Sequence, residues 1–94
     1  MALARVVTFD GVDDARIKEM QQQSSSGERP EGVPATEFML LHDPAAGKAV
    51  AVLFFDSEDD YRKGDEALNA MPAGETPGER TSVAKFDVAL RMTV

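Results

Sequence analysis

The sequence predicts one α+β domain in which four strands and two helices follow one another in the order β-α-β-β-α-β. The chain has 94 residues, a length typical of a single domain, so we assign residues 1–94 to it. Stretches rich in β-branched and apolar residues alternate with stretches of helix-favouring residues. The passage "TFDGVDDAR", from Thr8 to Arg16, also returns forty-six residues later as "FFDSEDDYR", from Phe54 to Arg62.

The first half of the chain predicts a strand, a helix and a second strand. The first strand covers Leu3 to Phe9 and the helix runs from Val12 to about Gln23, although its apolar stripe is weak. The stretch Ser24 to Thr36 is rich in Ser, Gly and Pro and predicts a loop. The second strand is expected at Glu37 to His42.

The second half predicts the same elements again. After a hairpin turn at Asp43 to Lys48, the third strand covers Ala49 to Phe55 and is apolar at every position. A helix is expected from Ser57 to Met71, where apolar residues and one glycine recur every three or four positions. A loop then leads to a long final strand, Ser82 to Val94, in which apolar and polar residues alternate.

The repeated passage indicates architecture, because each half is then a β-α-β unit. Two such units related by a pseudo-twofold axis form the split β-α-β, or ferredoxin-like, sandwich. Right-handed crossovers place both helices on one face of a four-stranded antiparallel sheet. We therefore predict a ferredoxin-like fold for the whole chain.

Clusters of carboxylates at the two expected helix starts have two interpretations. Asp10, Asp13 and Asp14 lie at one helix start, and Asp56 with the following residues "SEDD" lies at the other. Such oxygen ligands can bind magnesium or calcium. They also cap helices and interact favourably with the helix dipole, and this explains both clusters and their repetition. We favour capping, with Asp56 and Ser57 as rival caps, and predict no metal site.

Two single residues are candidates for chemistry. His42, the one histidine, lies at a strand end and is a possible general base or ligand, or else a half-exposed residue entering a turn. Tyr61, the one tyrosine, is a possible proton donor, but its position on the helix stripe favours the core. Both are included among the candidate ligand-binding residues.

The composition narrows the classes of function. With 10 Lys and Arg against 17 Asp and Glu, the net charge of −7 disfavours nucleic acid and anionic membranes. There is no cysteine for a disulfide or thiolate chemistry, no apolar run long enough to span a bilayer, and no pattern of a signal peptide. We expect a cytoplasmic protein without a cofactor.

The strands also predict a homodimer. Both sides of the third strand are apolar, so one sheet face remains apolar after the helices cover the other. We expect the face of Ala51, Leu53 and Phe55 to pack against a second copy around a twofold axis.

The repeat further predicts which strand residues share a face. If Phe38 and Phe86 are equivalent, the side of Phe86, with Val6 and Val52, is the driest and faces the helices. The other face then gathers four charged residues, and this cluster would either bind a carboxylate or phenolate or form a salt-bridged dimer rim. Its members are Arg5, Lys85, Asp87 and Arg91.

The order and lengths of the elements, and the passage "FFDSEDDY" from third strand to second helix, resemble the dimeric α/β-barrel superfamily. The likeness is to small proteins similar to antibiotic-biosynthesis monooxygenases. It implies a homodimeric barrel with a small-molecule cleft between sheet and helices, and Arg5 matches a first-strand position that often carries a polar cleft residue. The haem-degrading members use a Trp and a His on the second helix, and this chain has neither there.

Three functions are therefore carried forward. The first is binding of a small, partly apolar ligand by a homodimer. The second is a cofactor-independent, monooxygenase-like enzyme that acts on a polycyclic or quinol-type substrate. The third is a structural or interaction subunit without a ligand.

Overall fold

A computed structural model describes residues 2–24, 32–70 and 76–93 and contains the six expected elements in the expected order. The strand β4 is shorter than predicted, since it ends at Asp87. The predicted loops at Ser24 to Thr36 and Pro72 to Arg80 lie partly outside the described residues. The elements are β1 (Leu3–Asp10), α1 (Asp14–Ser24), β2 (Glu37–Asp43), β3 (Lys48–Phe55), α2 (Glu58–Asn69) and β4 (Glu79–Asp87).

The four strands form one antiparallel sheet in the order β2-β3-β1-β4. Residues of both helices, among them Ile17 of α1 and Tyr61 of α2, belong to the same buried core on one face of this sheet. The predicted ferredoxin-like βαββαβ arrangement is therefore confirmed.

The pairing of the two central strands, β1 and β3, shows how the sequence repeat relates the two halves of the structure. In the β1–β3 ladder, Val6 is paired with Val52, its own counterpart forty-six residues later. An internal pseudo-twofold axis therefore passes through this pair and exchanges the two halves of the chain.

Both helices are capped at their starts, but only α1 is capped by a carboxylate, and the two caps are not at equivalent positions of the repeat. The side chain of Ser57 accepts a hydrogen bond of 3.1 Å from the backbone N–H of Asp60 at the start of α2. At the start of α1, Asp13 accepts one of 2.7 Å from the N–H of Arg16. Ser57 is thus the cap rather than Asp56, and each bond satisfies an N–H that the helix leaves free.

The prediction of which sheet face lies under the helices was wrong. Leu53 and Phe55 are buried, at 4% and 0% exposure, and Phe55 contacts Tyr61 of α2. This face is therefore covered by helices and is not available to a second copy. Alternation could not distinguish the faces of β3, since both are apolar. The assumption that the covered face carries no charge also failed, because Arg5 lies in it at 2% exposure.

The opposite side, which we call the open face, is not covered by either helix. Its most exposed large side chains are Met39, Leu41 and Phe86, at 42%, 50% and 55%. Phe38 points to the helix side, so its predicted equivalence with Phe86 was wrong. The open face consists of Ala4, Val6, Thr8, Glu37, Met39, Leu41, Val50, Val52, Phe54, Ser82, Ala84 and Phe86, with the charged residues Asp10, Asp43, Lys48 and Glu79 at one end.

Beyond β4, residues 88–93 form a non-strand stretch that we call the C-terminal segment. The N–H of Val88 donates to the carbonyl of Ala2 at 3.0 Å. The guanidinium of Arg91 then lies 4.5 Å from the ring centroid of Phe54 on β3 and forms an ion pair with Glu37 on β2. The segment therefore leaves the β4 edge and reaches across the open face.

Helix α2 approaches the sheet closely at Gly64. A Cβ atom at this position would lie 2.5 Å from Cε1 and 2.7 Å from Cζ of Phe55, well inside van der Waals contact. Since Phe55 is completely buried, its ring has little room to move away. The glycine therefore allows the helix backbone to rest on the aromatic ring.

We predict that Gly64→Ala lowers the free energy of unfolding by about 1–3 kcal/mol, as overpacked cores do. This is expected although alanine favours a helix interior by about 1 kcal/mol over glycine. Lys18→Ala, at the exposed position of α1 that corresponds in the repeat, should change the free energy by less than about 0.5 kcal/mol. Urea unfolding measures both, and an unchanged Gly64→Ala variant would contradict the close approach.

Candidate functional site

The two helices meet the sheet differently, and a cleft lies beside α1. The repeat places Lys18 in α1 where α2 has Gly64, so α1 lacks the small residue that brings α2 onto the sheet. Between α1 and β2 the structure has a cleft of about 320 Å³, near the lower end of the range for small-molecule sites. It is lined by Ile17, Met20, Gln21, Phe38, Leu40 and His42.

The walls of this cleft follow from the local periodicity of the two elements. Ile17 and Met20 are three residues apart on a helix and so share a face. Phe38, Leu40 and His42 alternate along β2 and so share the side of the sheet that faces the helices. Four of the six lining residues are apolar, while Gln21 and His42 provide polar groups.

His42 has an unused polar atom on this side of the sheet. Its side chain is 17% exposed, and its Nε2 atom is buried without a hydrogen-bond partner. The nearest acidic oxygen is Oδ1 of Asp14, at 3.9 Å, which is too far for a hydrogen bond. An imidazole nitrogen can donate or accept according to its protonation, so this group can orient a ligand or take up a proton.

Arg5 is held by hydrogen bonds within the protein and is not open to a ligand. Its Nε donates to Oδ1 of Asp65 at 2.8 Å and its Nη2 donates to Oδ1 of Asn69 at 3.1 Å. A buried guanidinium needs such partners, because an unpaired charge away from water is strongly unfavourable. Arg5 therefore ties β1 to α2.

Tyr61 lies in the core, as its position on the helix stripe indicated. Its ring meets that of Phe55 edge-to-face, with centroids 5.4 Å apart, and Nζ of Lys85 lies 5.1 Å from its centroid. Burial, and next the carboxylate of Asp65, raise the pKa of the Tyr61 phenol above its ordinary value of 10.0. Lys85 is held by a 2.9 Å hydrogen bond to Glu58, which also raises its pKa.

The predicted charged cluster of four residues does not assemble on one face. Arg5 and Lys85 are paired in the β1–β4 ladder, and Asp87 is paired with Leu3, so these three share the helix side. Arg91 lies on the open face beside Phe54. The alternation that grouped it with the others ends with β4 at Asp87.

The candidate ligand-binding residues Arg5, His42, Tyr61, Asp87 and Arg91 are therefore distributed over four places. His42 lines the cleft, Arg5 contacts α2 from the sheet while Tyr61 contacts the sheet from α2, and Asp87 ends the edge strand. Arg91 belongs to the open face. Sequence reasoning missed the apolar lining of the cleft, although the i, i+3 spacing in α1 and the alternation in β2 were the available signals.

Within the described ranges, no three acidic or histidine side chains are grouped so that they could hold a metal ion. No helix in the same ranges is long and apolar enough to cross a membrane. Comparison of the chain with known protein families, curated proteins and solved structures found no match.

We predict that Asp65→Ala lowers the free energy of unfolding by about 1.5–3 kcal/mol, the range for hydrogen bonds to charged groups. The reason is that it leaves Arg5 buried without its carboxylate. Glu19→Ala, which removes an exposed i,i+3 pair with Arg16, should lower it by less than about 1 kcal/mol. Equal effects in urea unfolding would show that the Arg5 pair has no special role.

We predict that the single tyrosine titrates above pH 10.0 in the folded protein, because burial favours the neutral phenol. Its contribution to stability is then fully present below the unfolded pKa and is lost as pH rises through the folded pKa. Ultraviolet absorbance of tyrosinate measures this, with the urea-unfolded protein as reference. A folded midpoint at or below the unfolded one would contradict the burial of the phenol.

Proposed function

We propose that the protein binds a small, mostly apolar and uncharged molecule in the cleft between α1 and β2, and that it acts as a homodimer. The observation that carries this proposal is the combination of apolar walls with one buried, unpartnered imidazole nitrogen, that of His42. Small-molecule sites commonly have this composition, since apolar walls supply affinity and a few polar groups supply orientation.

The chemistry around His42 favours a ligand with a hydroxyl group. The unpartnered Nε2 of His42 can donate to or accept from a ligand hydroxyl at about 2.8 Å, once the ligand opens access to this buried atom. A carboxylate ligand would instead meet the negative charge of Asp14 in a chain of net charge −7.

The open face supports the homodimer. It is apolar over three strands, and an apolar surface of this kind is characteristic of an interface. Its acidic residue Glu37 is paired with Arg91 of the same chain, and the other charged residues of the face lie together at its opposite end. Two identical copies can therefore approach each other over the uncharged middle of this face without the repulsion that the rest of the surface would cause.

The ligand proposal is tested by screening hydroxylated aromatic fragments, with 1-naphthol as the reference probe, by two-dimensional amide NMR. We expect shifts of the amides of Ile17, Leu40 and His42. Met20→Trp, which fills the cleft, should abolish the shifts. Ala15→Trp, at an exposed position on the same helix, should leave them intact. Fragments that bind without perturbing these amides would place any site elsewhere.

The dimer proposal is tested by sedimentation at micromolar concentration, where the mass should be twice the 10.2 kDa of the chain. Phe86→Glu puts a charge on the open face and should yield monomers. Val83→Glu puts the same charge on the helix side of β4, at 40% exposure, and should remain dimeric. A monomeric wild-type protein would refute the proposal.

A cofactor-independent enzyme is the second candidate, because His42 is placed where a base could deprotonate a substrate in the cleft. Oxygen uptake with an anthrone-like or quinol substrate tests this, and His42→Gln should abolish it. If the dimer forms but neither binding nor uptake is found, the chain is better described as an interaction subunit.

A further inference from the structure

The C-terminal segment is attached to the open face through a charged residue. Arg91 stacks on the ring of Phe54 and pairs with Glu37, so its side chain contacts both β3 and β2. The stack joins a guanidinium to an aromatic face, and the pair neutralises its charge. The segment is therefore held at one end of the open face by contacts within its own chain.

The neighbours of Arg91 are largely exposed. Leu90 is 79% exposed and Met92 is 69% exposed, the highest exposures among the large apolar side chains of the described residues. Both flank a residue that reaches down to the sheet. The exposed surface of the segment on either side of Arg91 is therefore apolar.

We propose that this segment is part of the interface with a second copy of the chain, and that Leu90 and Met92 of each copy contact the open face of the other. This inference rests on the proposed homodimer and adds a specific contact to it. A twofold axis would place the segment of each copy between the two sheets, and each contact would occur twice.

The exposure of Leu90 and Met92 distinguishes a segment that forms an interface from one that only covers its own sheet. A segment that served only to cover its own sheet would turn Leu90 and Met92 inward and leave Arg91 in water. In the structure the charged residue, although half exposed, provides the attachment to the sheet, and the apolar residues on either side of it are more exposed. Burying them requires another molecule.

Charge favours a second copy of the chain over a basic partner. The segment presents no unpaired charge next to Leu90 and Met92, because Arg91 is neutralised by Glu37. A basic partner would be drawn to the acidic remainder of the surface and not to this region. An identical copy supplies an apolar face of the same composition, against which Leu90 and Met92 can be buried.

The experiment uses the full chain and measures the dimer dissociation constant by sedimentation over a dilution series. Leu90→Ser with Met92→Ser should raise this constant at least tenfold, while the melting temperature of the diluted, monomeric protein stays within about 1 °C of wild type, since both residues are exposed in the single chain. An unchanged constant would overturn the inference. A lower constant would also overturn it, since the segment would then be a cover that competes with the partner.

Arg91→Ala tests the attachment separately. It should also raise the dissociation constant, because the segment loses its position on Phe54 and Glu37. Arg62→Ala makes the same change in net charge at an exposed pair on α2 and should leave the constant unchanged. Equal effects of the two variants would overturn the role of Arg91. A wild-type protein that stays monomeric refutes the homodimer itself, whereas a wild-type dimer insensitive to Leu90, Met92 and Arg91 refutes only this inference.

Discussion

The direct contact of the α2 backbone with the ring of Phe55 determines the arrangement of the helix layer. Because Gly64 has no side chain, α2 lies close enough for Tyr61 to meet Phe55 edge-to-face and for Asp65 to reach Arg5. The buried guanidinium depends on that reach, since without it the charge of Arg5 would have no carboxylate partner. A larger residue at position 64 would therefore disturb an aromatic contact and an ion pair together.

The same constraint explains where a ligand can bind. The chain repeats its strand-to-helix passage but not its glycine, so the two helices are related by the pseudo-twofold axis without being packed alike. Under α2 the side chains of Arg5, Asp65 and Asn69 form hydrogen bonds with one another, so they are not available to a ligand. Under α1 a cleft remains, and His42 keeps a nitrogen without a partner. The difference between the halves thus separates a structural polar cluster from a candidate site.

Periodicity and the internal repeat were sufficient to predict the element order, the ferredoxin-like arrangement and the capping of both helices. They were not sufficient to assign the sheet faces, because β3 is apolar on both sides. In addition, the burial of the charged Arg5 depends on its partners on α2, and the sequence does not show these contacts. The position of Arg91 could not be predicted either, since alternation holds only while the chain remains a strand. The cleft depends on the distance between α1 and β2, which no local pattern contains.

The way in which the two halves interlock has a consequence for folding kinetics. Among the three strand pairings of the described sheet, only β2 with β3 joins neighbours along the chain, while β1 pairs with β3 of the other half and with β4 near the far end. Neither half can complete a sheet alone. The chain must therefore lose most of its loop-closure entropy before the contacts of β1 with β3 and β4 stabilise the sheet. The β2–β3 hairpin is the local structure that can form first, and the entry of β1 between β3 and β4 is the slow, cooperative step that joins the two ends of the chain.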